Sequence, residues 1–198
     1  MHPYATESEE RARIYWFLAI TSLVIAWLVH GWLGAIGLET PWSVDIPTTP
    51  IAVYWLLVWL FDTRLWKAPV LKRLSIVTIP NIEGNWIVEG VSSPDRAPVE
   101  WTGTVIIRQT WTGLSIVQET KGSISYSTSA SLGSDEGRGT KLVHQYRNEP
   151  KVEGAVPSMH MHYGTSILTI NEKGDRITGE YYSGRGRERY GHFTYVRK

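Results

Sequence analysis

Three arginines crowd one short glycine-containing stretch, Ser183-Gly184-Arg185-Gly186-Arg187-Glu188-Arg189. Guanidinium forks match phosphate oxygens bidentately, and flanking glycines let backbone N–H groups approach an anion. Arg185 and Arg187 are therefore candidates for holding a phosphate. A solvated basic turn, or one touching anionic lipid headgroups, is the competing reading. No helix-forming pattern follows the stretch, so it is not a nucleotide-binding glycine loop. His160 and His162, two apart on one strand face, could hold zinc together with His144. The motif has no carboxylate to orient an imidazole, which favours packing or hydrogen-bonding histidines. With no cysteine in the chain, a thiolate metal site, a cysteine nucleophile and a disulfide framework are all excluded. Serine, histidine and aspartate are present, but no nucleophile elbow brings them together. The chain therefore reads as a binding protein without a cofactor rather than an enzyme.

The elements that must position these residues are strands. From Glu83 onward, short β-rich runs alternate with Gly, Asn, Asp and Pro. They fall at Gly84–Val91, Val99–Gln109, Thr112–Thr120, Ser123–Leu132, Thr140–Asn148, His160–Ile170, Arg176–Ser183 and Arg189–Arg197. Asn171 to Asp175 and Ser183 to Glu188 are hairpin turns. Eight sequential strands with no helical segment between them predict an all-β, antiparallel up-and-down barrel, which leaves no exposed sheet edge. Gly84-Asn85-Trp86 opens the first strand as the Gly-x-Trp of lipocalin-like barrels does, with Arg197 available to cover the Trp. Alternation then groups Leu142, His144, Tyr146 and Asn148 on one face. It does the same for His160, His162, Gly164 and Leu168, and for Ile177, Gly179 and Tyr181. Each set runs from apolar to polar, which predicts a greasy floor and a polar, aromatic mouth suited to a polar ligand with flat rings. The serines at 123, 125, 127, 129 and 131 line the lumen or face water, and alternation alone does not choose.

Ahead of the strands lies Ile14 to Leu38, an apolar run whose one ionisable side chain is His30. As a helix at ~1.5 Å per residue it crosses a ~30 Å hydrocarbon layer. It is too long for the apolar core of a signal peptide, so an uncleaved anchor is expected. Glu39 to Thr49 reads as a loop, and Pro50 as the start of a second helix through Ile51–Phe61, read as a second, short span with a re-entrant or interfacial helix as the alternative. Arg11 and Arg13 precede the first span, and Arg64, Lys67, Lys72 and Arg73 follow the second, while the loop between has no cation. The positive-inside rule puts both termini in the cytoplasm. The expected organisation is a two-helix membrane anchor over 1–72, a linker over 73–80 and a cytoplasmic barrel over 81–198. Gly31, Gly34 and Ala35 give the small-residue spacing that permits helix contact, with ordinary glycine usage as the alternative. A net charge of +1 argues against a nucleic acid polymer as partner. Ten Trp and ten Tyr against three Phe favour membrane interfaces and stacking sites.

In that order, Gly84-Asn85-Trp86, Gln109-Thr110-Trp111, Tyr146-Arg147-Asn148-Glu149-Pro150, His162-Tyr163-Gly164-Thr165 and Gly179-Glu180-Tyr181-Tyr182-Ser183-Gly184-Arg185 resemble the Cap15 effectors of bacterial CBASS antiphage defence. The resemblance covers essentially the whole chain. It implies a barrel that receives a cyclic dinucleotide made by a partner nucleotidyltransferase. It also implies ligand-driven homo-oligomerisation, disruption of the inner membrane by the spans, and cell death. Under it, Arg185 and Arg187 would meet the phosphates and Tyr146, Tyr181 and Trp111 would stack on bases. Asn148 and Gln109 would read base edges, with His162 beside them. A membrane-tethered, lipocalin-like carrier of a lipid or small hydrophobe is the alternative, and predicts an apolar lumen. A membrane-bound hydrolase or metalloenzyme is a third reading, without a catalytic constellation to support it.

Overall fold

The protein is described here from a computed structural model covering residues 1–7, 9–37, 42–93, 98–135, 139–152, 160–184 and 189–198, without the side chains of 42–48, 93, 134 and 135. The chain divides into two compact units, one formed by Met1–Glu7 with Ile79–Lys198 and the other by Ser8–Thr78.

The first unit is a closed sheet of nine strands. Eight of them are β2 (Gly84–Ser93), β3 (Val99–Gln109), β4 (Gly113–Thr120), β5 (Ser123–Asp135), β6 (Gly139–Pro150), β7 (His162–Ile170), β8 (Arg176–Ser183) and β9 (Tyr190–Arg197). They pair antiparallel in chain order and β9 returns to β2, as the sequence predicts. The strand count, however, is corrected from eight to nine. Residues His2–Thr6, at the chain's N-terminus, form β1 and enter the same sheet.

β1 is a wedge in the seam between β4 and β5. Those two strands pair directly only over Val117↔Tyr126, Gln118↔Ser125 and Glu119↔Ile124. Beyond that they fork, and β1 fills the gap. His2 and Pro3 pair antiparallel with Leu114 and Gly113, while Tyr4, Ala5 and Thr6 pair parallel with Ala130, Ser131 and Leu132. A sheet edge presents unpaired N–H and C=O groups, and β1 satisfies those the fork would expose. The buried Tyr4 ring anchors it, its hydroxyl donating to the carbonyl of Trp111 at 2.8 Å.

Inward residues alternate along each strand, so one end of the barrel is filled by Val88, Val105, Ile107, Leu114, Leu142, Leu168 and Ile177, all fully buried. Trp86 plugs that end. Its indole donates to the carbonyl of Ile82 at 3.1 Å, and the Arg197 guanidinium lies 4.6 Å above its ring. Arg197 also donates to the carbonyls of Glu83 and Asn81. The Gly-x-Trp reading is a structural one, and its residues hold that role.

In the second unit, α1 (Glu10–Ala35) has 26 residues and is the one helix, among the described residues, long and apolar enough to cross a membrane. It packs along α2 (Trp42–Thr63) and buries the i, i+4 stripe Ile14, Leu18, Ser22 and Ala26. Its other faces expose Trp16, Phe17, Leu23, Trp27 and Trp32. The second apolar stretch, Thr49–Thr63, falls short of a span's length. α2 starts at Trp42 rather than Pro50, so Pro47 and Pro50 lie within it and each removes one helical hydrogen bond. A 3-10 turn (Leu65–Lys67) and the short α3 (Pro69–Arg73) complete the unit. The buried Glu10 carboxylate accepts from both the backbone N–H and the hydroxyl of Thr78, at 2.7 and 2.6 Å. The two chain ends of the helical unit are thereby tied together.

Candidate functional site

Above its apolar floor the barrel encloses a cavity of about 450 Å³. The volume falls within the ~300–1,000 Å³ of small-molecule sites. Every strand from β2 to β9 contributes to its wall.

One wall is aromatic. Phe193 stacks on Tyr195 at 4.9 Å between centroids and on Tyr181 at 5.9 Å, and Trp101 meets Tyr181 edge-on. Tyr146 forms part of the opposite side, beside His144. Three of these rings lie over a glycine directly across the ladder: Trp101 over Gly90, Tyr146 over Gly164 and Tyr181 over Gly191. A Cβ at Gly90 or Gly164 would run into the ring above it. The missing side chains let the aromatics lie back against the sheet, and this hollows the lumen.

The other wall is polar. Ser123, Ser125 and Ser127 on β5 face the cavity. A register shift between Ser127 and Ser129 then turns the strand, so Ser129 bonds to Gln145 on the exposed surface instead. This bulge is why alternation alone did not assign the serines. Asn148 donates from Nδ2 to the hydroxyls of Ser123 and Ser125, at 3.2 and 3.1 Å. Its Oδ1 is buried and has no partner among the described residues. Trp101 Nε1 and both ring nitrogens of His144 are likewise buried without a side-chain hydrogen-bond partner among the described residues. Each such group carries a desolvation cost of about 1–3 kcal/mol, and buried polar groups are otherwise almost always bonded. Together with the serines, these atoms make this wall polar, unlike the apolar floor. Burial lowers the His144 pKa to about 4, outweighing an opposing interaction with the Gln145 backbone, and His2 lowers it slightly further, so the ring is neutral at pH 7. Burial raises the Tyr195 pKa, and its hydroxyl donates to Gln118 at 2.8 Å. The rim carries two cations, Lys121 and Arg189, and one carboxylate, Glu100.

Of the residues singled out from sequence, Tyr146, Asn148, Tyr181 and His162 line this cavity. His162 Nδ1 donates to the carbonyl of His160 at 2.8 Å, and among the described residues no cluster of three metal-ligating side chains exists. Gln109 and Trp111 do not line the cavity. Gln109 accepts from Ile82 N at 2.9 Å and donates to the carbonyl of Pro80, bracing the floor. Trp111 is buried in the turn between β3 and β4, under Tyr4. Arg185 and Arg187 lie outside the described residues, while Arg189 of the same stretch stands on the rim. Trp101, Gln118, Phe193, Tyr195 and Lys121 are among the lining residues that the sequence did not put forward as ligand contacts. Gly31 and Gly34 are exposed, and a Cβ on either would meet no atom of the described residues within 4 Å.

Fold and site together define a ligand-binding β-barrel joined to an apolar helical unit. Residues 77–197 match the family described as the Cap15 cyclic dinucleotide receptor domain. Over 183 residues the chain is 32% identical to CD-NTase-associated protein 15 of Yersinia aleksiciae, covering 91% of this chain and 86% of that protein. The chain belongs to the Cap15 family, and the resemblance carried by its motifs is thereby established.

Proposed function

We propose that this protein is a membrane-anchored receptor whose barrel binds a cyclic dinucleotide made by a partner nucleotidyltransferase, as a CBASS effector. The observation that carries the reading is the cavity itself. Aromatic walls offer stacking faces for two bases, and Ser123, Ser125, Ser127, Asn148 and Gln118 line the cavity with hydrogen-bonding groups. Cations at the rim, Lys121 and Arg189, suit a doubly anionic ligand, and Arg185 and Arg187 belong to the same basic stretch. A carrier of lipid would need a greasy lumen, and the polar wall opposes it. The site offers stacking, hydrogen bonding and charge, and the proposed role is non-enzymatic.

The output follows from the helices. α1 spans the inner membrane, the apolar part of α2 forms a second, short crossing, and the barrel lies in the cytoplasm with the flanking cations. Ligand binding drives homo-oligomerisation, in which the exposed Gly31, Gly34 and Ala35 permit close contact between helices of different copies. The assembled helices breach the membrane and kill the infected cell. A ligand shifts such an equilibrium only through its differential affinity for the assembled state. Full-length protein in dye-loaded vesicles of bacterial lipid tests this. Leakage should appear only when the right cyclic dinucleotide is added, and equal leakage with and without any of a panel would refute the gating.

A further inference from the structure

Of all the strands, β1 is the one whose place in the barrel is cheapest to vacate. It has five residues and holds its neighbours through two ladder pairs to β4 and three to β5. Every other strand is at least eight residues long. Its removal would leave two short sheet edges, along Gly113–Leu114 and Ala130–Leu132, with a vacant socket for the Tyr4 ring beside the carbonyl of Trp111. Such edges are templates for a strand, and the sequence best fitted to them is β1 of another copy. Exchange of an identical element costs little, because the ladder bonds and the Tyr4 anchor form between two chains just as they do within one.

The fork also touches the cavity. Ser127 lines the cavity wall, and its hydroxyl accepts from Ile116 N at 2.9 Å and lies 2.8 Å from His2 Nε2. Ile116 lines the same wall. A ligand that bonds to Ser127 competes for the group that pins β1 to the seam. We propose that the β4–β5 fork is an interface between copies of this chain, in which β1 of one copy takes the place of β1 in another. The inference rests on the reading that ligand drives assembly, and supplies the surface on which assembly occurs.

The absence of cysteine makes the test clean. Ala5 and Ser131 are paired across the parallel ladder, and both are exposed. Full-length Ala5→Cys and Ser131→Cys proteins are mixed in detergent, with and without a panel of cyclic dinucleotides, and oxidised. A disulfide-linked dimer that needs both variants, enriched in the assembled fraction, is expected. The double variant Ala5→Cys/Ser131→Cys, oxidised while dispersed, closes the bridge within one chain. It should bind ligand normally yet fail to assemble until reduced. Assembly of this locked chain to the same extent as the reduced one, or an assembled fraction without the mixed disulfide, would overturn strand exchange. If no cyclic dinucleotide binds, the receptor reading fails, while the mixed disulfide in concentrated protein still decides exchange.

Discussion

Trp101 shows how a site residue reveals itself by a cost. Its indole N–H is buried in the cavity wall with no partner among the described residues, a desolvation cost that a tilt of the ring toward a ligand acceptor would relieve. Trp101→Phe keeps a ring over Gly90 and removes the orphan donor. The unliganded protein should melt at the same temperature or higher, while ligand affinity falls by about 0.5–1.5 kcal/mol, the net worth of one hydrogen bond. Calorimetry and thermal unfolding on the same sample give both signs. A drop in stability with unchanged affinity would make the indole structural. His144 predicts a pH dependence. Its pKa is lowered in the folded state to about 4, chiefly by burial, from an ordinary value of 6.5. The unfolded chain therefore binds more protons between these values, and folding stability is lost as pH falls through that window. Melting temperatures from about pH 7 to about pH 4 should fall more steeply for the native chain than for His144→Gln. Parallel curves would show that the ring is not buried neutral.

Among elements, β3 and β5 show what the alternation could and could not deliver. The eight strands of the meander were legible because each buries one face, and their bounds shift by no more than a few residues. β1 was not legible. Five residues with Pro3 and one buried side chain, ahead of a long apolar run, carry no strand signal of their own. On β3, Trp101 and Gln109 share the inward face at opposite ends. Since Trp86 fixes the plugged end, strand direction alone places Gln109 at the floor and Trp101 at the mouth. The bulge after Ser127 is different, because nothing in a run of alternating serines marks where the face changes. Two predictions belong at this scale. In Gly90→Ala, the three atoms nearest the added Cβ all belong to the Trp101 ring, which must tip toward the lumen. Overpacking of this kind costs ~1–3 kcal/mol, and binding should weaken while the fold survives, as circular dichroism would show. Deleting residues 1–6 removes Tyr4 and opens the fork. The truncated chain should lose thermal stability and aggregate through its exposed edges, and a melting curve unchanged from the native one would show that β1 is dispensable to the barrel.

At the scale of the whole molecule, an apolar helical unit is inserted between the first and second strands of a binding barrel. The chain leaves the barrel through β1 and returns to it before β2, so the helices are connected to the barrel at both ends. The first connection was hidden in the sequence by the weakness of β1 as a signal. This wiring gives ligand occupancy two covalent routes to the helices. Everything in the proposed function depends on the cavity taking a cyclic dinucleotide, and calorimetric titration of the full-length protein in detergent with a panel of these ligands is the decisive test. At least one should bind saturably, and Tyr146→Ala and Tyr181→Ala should each weaken it by ~1–3 kcal/mol, the worth of one stacked base. Binding by no member of the panel, or binding that both substitutions leave unchanged, would overturn the receptor reading.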